Sequence, residues 1–301
     1  MDFGCNAQPN EGARCVHVAI DRTAFRKGAN DDSTIAMTWV IGAASLLSTG
    51  ALISDVRVRL STGETREMLQ KAYPICNYMA AGFAGSVRIG FQLLNCLSEL
   101  TSPPGVPDGF MVDPVEVAEV WSPIAQAAFR GAPPEERAVG SQILIVGVSP
   151  VEDIGGPELP RIFVIRSVAP DFVPRKMRPT TGMLGIGTGS SVPHYKRALR
   201  PLFRLTSGIQ HAHMIGLHGW AQQFTFSATI AIRDYPDFGI SESLHVVAIR
   251  RGQMITLNND MTTYPPNQPP VELQMPRVAT KWEEFTQLAE AANVPAAAAS
   301  C

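Results

Sequence analysis

Residues 37–60 read MTWVIGAASLLSTGALISDVRVRL, and this stretch decides the fold. Two apolar runs, MTWVIGAAS and ALISDVRVRL, flank LLSTG, where Ser48, Thr49 and Gly50 supply turn chemistry. The pattern predicts a strand, a turn and a second strand. Upstream, residues 1–36 mix polar residues, glycine and isolated apolar residues without a sustained period, and predict no regular element.

Downstream, STGETRE reads as a loop and KAYPICNYMAAGFAG as a broken pair of short strands. SVRIGFQLLNCLSEL fits a largely buried helix capped by Ser86. PVEVAEVWSPIAQAAFRGA is a second helical pattern that Pro123 is expected to kink or end. ILIVGVSP and RIFVIRSV read as strands, and MLGIGTGSS as a strand entering a glycine-rich turn. The segment after Pro193 reads as helical, and IQHAHMIGLHGWAQQFTFSATIAI as one long apolar helix. SLHVVAIRRGQMITL reads as a last hairpin turning at Arg251 and Gly252, before a terminal helix in KWEEFTQLAEAAN. Strand blocks and helix blocks alternate in pairs. That order argues against βαβ units and for helices stacked on antiparallel sheets.

Composition narrows the function. Of 301 residues, 45% are hydrophobic and 17% charged, enough to bury a sizeable core. A net charge of −2 gives no reason to expect nucleic acid or an anionic membrane as partner. Cys5, Cys15, Cys76, Cys96 and Cys301 are odd in number and form no C-x-x-C, so reduced thiols and a cytoplasmic location are expected. No apolar run of about 20 residues predicts a span, and the N-terminus lacks signal-peptide character. The organisation read from the chain is an extension, propeptide or mis-assigned start over 1–36, a compact domain over 37–265, and a Pro-rich linker, short helix and tail over 266–301.

TIAMTWVIGAASLLSTGALISDVRVRLS, QKAY and AAGFAG together resemble the opening of a proteasome β-subunit, and AGFAG is similar to the HslV-type bacterial peptidase. In those families a nucleophilic threonine is followed by an aspartate, a lysine and a glycine. Here Asp55 to Lys71 spans 16 residues and Lys71 to Gly85 spans 14, as the family pattern requires. Thr38 to Asp55 spans 17, one more than usual, which places an extra residue in the turn around LLSTG. The resemblance covers roughly Met37 to Gly252, most strongly at its start.

The resemblance implies an α+β, four-layer αββα sandwich of the N-terminal-nucleophile hydrolase type. It implies a threonine peptidase with Thr38, Asp55, Lys71 and Gly85 as catalytic residues, acting on peptides or unfolded protein segments. It implies a homo-oligomeric ring and no cofactor or metal. An unfoldase partner suits the family, though no residue here specifies one. Thr188 falls where the family often has a serine near the nucleophile. Asp237 and Ser241 are secondary candidates, one residue out of spacing. Leu69, Tyr73, Phe83 and Val87 are candidates for an apolar substrate pocket or for the core. Met37 precedes Thr38 without the glycine usual in propeptides, so translation from Met37 and removal of that methionine are expected.

Each residue also has a plainer reading. Thr38 suits a strand, Asp55 and Lys71 suit a surface ion pair, and Gly85 suits a turn. The same fold can serve as an inactive ring or scaffold subunit, or as a small-molecule amidase. GIGTG lacks the Lys-Ser/Thr of a phosphate loop. His211, His213 and His218 lack the four-residue spacing of helical metal ligands and read as packing or interface residues.

Overall fold

A computed structural model describes residues 38–45, 48–60, 64–101, 113–149, 161–177, 182–203, 216–236, 240–258, 261–263, 271–273 and 275–293. The protein is mixed α and β, with antiparallel sheets and six helices among the described residues.

The opening hairpin pairs β1 (Val40–Ala44) with β2 (Gly50–Asp55), Val40 opposite Ser54 and Ala44 opposite Gly50. Its turn closes through Ser45 N–H to the Thr49 carbonyl at 2.8 Å, with Ser48 at φ 56°. The apolar run after Asp55 is not one strand. The chain leaves the sheet at Val56 and forms a small ribbon from β3 (Arg57–Arg59) and β4 (Thr65–Glu67). The Val56 carbonyl takes the amides of Met68 and Leu69 instead of a ladder partner. Part of STGETRE is therefore strand rather than loop.

KAYPICNYMAAGFAG folds as β5 (Ala72–Cys76) and β6 (Met79–Gly85). The first helix, α1 (Val87–Thr101), begins where Ser86 Oγ accepts the Ile89 amide at 3.3 Å. Helix α2 (Pro114–Gly131) starts at Asp113, whose carboxylate accepts the Val115 amide at 2.7 Å, with proline in the first turn. Pro123 does not end α2. The carbonyl it frees, four residues back at Glu119, lies on the exposed side of the helix, where water can satisfy it. A short helix, α3 (Pro134–Val139), leads into β7 (Ser141–Val148), β8 (Ile162–Val168) and β9 (Arg175–Lys176).

Next come β10 (Gly182–Ile186), a 3-10 turn over Thr188–Ser191, α4 (Pro193–Leu199) and α5 (Leu217–Asp234). The long helix starts at Leu217, after Gly216 at φ 88°, and the part of the expected helix from Ile209 to residue 215 lies outside the described residues. The remaining elements are β11 (Leu244–Arg250), β12 (Gln253–Asn258), β13 (Met261–Thr263), β14 (Val271–Leu273) and α6 (Trp282–Asn293). A β13–β14 pair follows the hairpin expected to be last.

One five-stranded sheet runs β10-β1-β2-β11-β12 and the other β5-β6-β7-β8-β9, each antiparallel throughout. Their faces meet. A Cβ at Gly42 would lie 2.8 Å from Val164 and 2.9 Å from Val146, so only glycine permits that approach. On its other face the first sheet buries Trp39, Ile41, Ala51, Ile53 and Val246 against Trp220, Phe224 and Ala228 of α5. Burial on both faces explains why β1 and β2 read as continuous apolar runs rather than alternating ones. Each large apolar side chain buried in these layers contributes about 1.5–3 kcal/mol.

The Pro-rich stretch does not end the compact unit. Ala279, Phe285 and Ala289 are buried in the main core, and Ala279 exchanges backbone hydrogen bonds with Met68 and Gln70. The compact unit thus extends past residue 265, through the terminal helix.

Candidate active site

Asp55 ends β2, the strand paired with β1, and its backbone amide donates to the Trp39 carbonyl at 3.1 Å. Its Oδ1 accepts the Trp39 amide at 2.9 Å and Lys71 Nζ at 2.8 Å, and its Oδ2 accepts the Arg57 amide at 3.2 Å. Lys71 Nζ also donates to the Arg57 carbonyl at 2.5 Å. The Lys71 and Asp55 side chains are 2% and 0% exposed, so this is not the surface ion pair of the plainer reading. Burial lowers the Lys71 pKa, and Asp55 works against that shift.

Thr38, half-buried, stands one residue before this cluster. Its backbone nitrogen donates to Thr188 Oγ1 at 3.2 Å, and its carbonyl accepts the Gly189 amide at 3.0 Å. Gly187, at φ 79°, lets the turn approach so closely, because a Cβ there would overlap the Thr38 carbonyl oxygen. Trp39 packs on Tyr195, with ring centroids 4.9 Å apart. Burial first, and then the Asp55 charge, push the Tyr195 hydroxyl up to about 12.

Gly85 closes β6 at φ 110°, opposite Ser141, and a Cβ there would overlap the Gly140 carbonyl oxygen. Phe83 N–H donates to the Lys71 carbonyl on the β5 side, and Ser86 N–H to Gly140 on the β7 side. Antiparallel alternation therefore aims the Gly85 N–H toward the β5 side, past the point where Lys71 begins that edge. The Gly82 Cα lies so near that a Cβ on it would stand 2.9 Å from the Lys71 carbonyl and 3.0 Å from Val40. The start of β1, the end of β2 and Lys71 thus meet at one end of the two sheets.

Ser241 is fully buried, with its Oγ accepting the Ser243 amide at 2.9 Å, just before the strand that pairs Leu244 with Asp55. Asp237, His211 and His213 lie outside the described residues, and His218 is exposed.

Three of the four pocket candidates are core. Leu69, Phe83 and Val87 are 1%, 1% and 2% exposed and belong to the main apolar cluster. Leu69 is turned inward where its chain segment bridges to Ala279, and Phe83 packs on Phe91 at 5.4 Å. Tyr73 is half-buried, meets Phe91 edge-on and donates its hydroxyl to the Gln70 carbonyl at 2.6 Å.

Sequence reading missed the Arg57 carbonyl, Gly187 and Tyr195. Arg57 lies two residues after Asp55, a spacing that could have flagged it, whereas nothing in PHYK marks Tyr195. No helix among the described residues is long and apolar enough to cross a membrane. No family model matches the chain, and no curated protein matches it.

Proposed function

We propose that this protein is a proteasome-type threonine peptidase, built as a four-layer αββα sandwich, with Thr38 as nucleophile once it is the first residue. The observation that carries the reading is the buried Lys71–Asp55 pair bonded to the peptide that follows Thr38. The placement of α1 and α2 against one sheet and α5 against the other supports the layer order.

A threonine hydroxyl is a weak nucleophile and needs a base beside it. The free α-amine of Thr38, held by Thr188 Oγ1, takes the hydroxyl proton as the oxygen attacks the scissile carbonyl. It then passes that proton to the departing amine, leaving an ester on Thr38 that water hydrolyses. Such amines titrate near 7.7–8.0 in simple peptides, and the Lys71 charge lowers that value by like-charge repulsion. The Gly85 N–H stabilises the developing oxyanion, a contribution of about 3–4 kcal/mol to the barrier for one such donor. The substrates are peptides or unfolded protein segments, and a homo-oligomeric ring encloses the sites.

A second reading, an inactive scaffold subunit of the same fold, is favoured by one fact. In the 301-residue chain the Thr38 nitrogen is a peptide amide and cannot act as base. Intact mass and N-terminal sequencing of the protein from its own cells separate the two. A chain starting at Thr38 that cleaves peptides, and stops when Thr38 is replaced by alanine, supports the peptidase. Retention of residues 1–37 in the mature protein supports the scaffold. A species of only one or two subunits by size exclusion sinks the ring and favours a small-molecule amidase.

A further inference from the structure

The peptide after Gly85 is held by a buried carboxylate that the proposed chemistry does not use. Glu136, on α3, is 3% exposed. Its Oε2 accepts the Ser86 hydroxyl at 3.1 Å, and Arg88 Nη1 stands 3.5 Å from its Oε1. Ser86 is also tied by its own amide to the Gly140 carbonyl at 2.9 Å, four residues beyond Glu136. Helix α1 has no acidic residue in its first turn, so Glu136 supplies from another element the negative charge that a helix N-terminus favours. A buried carboxylate is costly and adds little stability that an apolar residue could not, so its placement calls for a role in positioning.

Resting on the peptidase reading, we infer that Glu136 is a positioning residue for the oxyanion donor. Through Ser86, and with the Gly140 carbonyl, it clamps the Gly85–Ser86 peptide and holds Gly85 at positive φ, which fixes the adjoining Ala84–Gly85 peptide whose N–H points past Lys71. The carboxylate touches no reacting atom. It acts only by fixing the backbone that carries the donor.

The test uses the full chain produced in its own cells, compared with Glu136→Ala, Glu136→Gln and Glu136→Asp. Peptide hydrolysis and binding of a peptide boronate, which mimics the tetrahedral intermediate, are measured together. Losing an oxyanion donor outright costs roughly 100- to 1,000-fold in kcat. Misaligning it through Glu136→Ala is expected to lower kcat about tenfold. KM stays near that of the parent, and boronate affinity falls in step with kcat. Glu136→Gln keeps an acceptor for Ser86 and restores most of the rate. If Glu136→Ala does not fold, Glu136→Asp, one methylene too short to reach Ser86, replaces it. Full kcat in the folded alanine or aspartate variant overturns the inference, as does a loss confined to thermal stability. A parent chain that neither hydrolyses peptide nor binds boronate overturns the peptidase reading itself, and with it any catalytic role for Glu136.

Discussion

Lys71 Nζ lies 2.8 Å from Asp55 Oδ1, and the two side chains are 2% and 0% exposed. Asp55 anchors the peptide after Thr38 with the same oxygen, so one carboxylate ties the opening strand to the lysine. A buried pair of this kind gives little net stability, but either half alone is an uncompensated buried charge.

Lys71→Met is therefore expected to destabilise the fold by about 3–5 kcal/mol, read by urea denaturation. Adding Asp55→Asn to that variant recovers part of the loss. Strictly additive losses in the double-mutant cycle would contradict direct coupling.

Thr188→Ala removes the acceptor for the Thr38 nitrogen. One hydrogen bond is worth about 1 kcal/mol, so peptide turnover is expected to fall roughly fivefold, with Thr188→Ser close to the parent. Equal turnover in Thr188→Ala and the parent would remove Thr188 from the site.

Phe285 is fully buried in the main core, although it lies beyond the Pro-rich stretch. Phe285→Ala is expected to cost about 3–5 kcal/mol and to lower the single unfolding transition of the whole protein. A separate early transition with the rest unshifted would mean that the terminal helix is only an appendage.

His245 is buried opposite Ser54, with its Nδ1 2.9 Å from Asn258 Oδ1. Burial lowers its pKa, and the Asn258 hydrogen bond offsets part of that shift. The unfolded chain then takes up this proton first as pH falls. The stability from a neutral His245 is complete above about 6.5 and is lost as pH drops from there toward the lower folded value. Denaturation midpoints across this range should fall less steeply in His245→Gln. Parallel pH curves for the two proteins would contradict the assignment.

Much of this was legible in the sequence. The apolar runs around LLSTG are long and rich in strand formers, so local propensity and a two-faced burial pattern both specify the first hairpin. Ser86, the first residue of SVRIGF, marked its helix start because capping is a local interaction. Thr38, Asp55, Lys71 and Gly85 were nominated together by the resemblance of their segments to the proteasome opening, not by any local pattern. Tertiary structure alone decided the rest. Whether Asp55 and Lys71 meet in water or in the core depends on two sheets approaching, and no local pattern encodes that approach. Leu69 became core rather than pocket because Ala279 returns from the far end of the chain beside it, and Phe83 because Phe91 and Gly90 of the first helix pack on it. Pro123 stays within its helix because the carbonyl it frees faces solvent, and which side of α2 faces solvent is set by what the helix packs against.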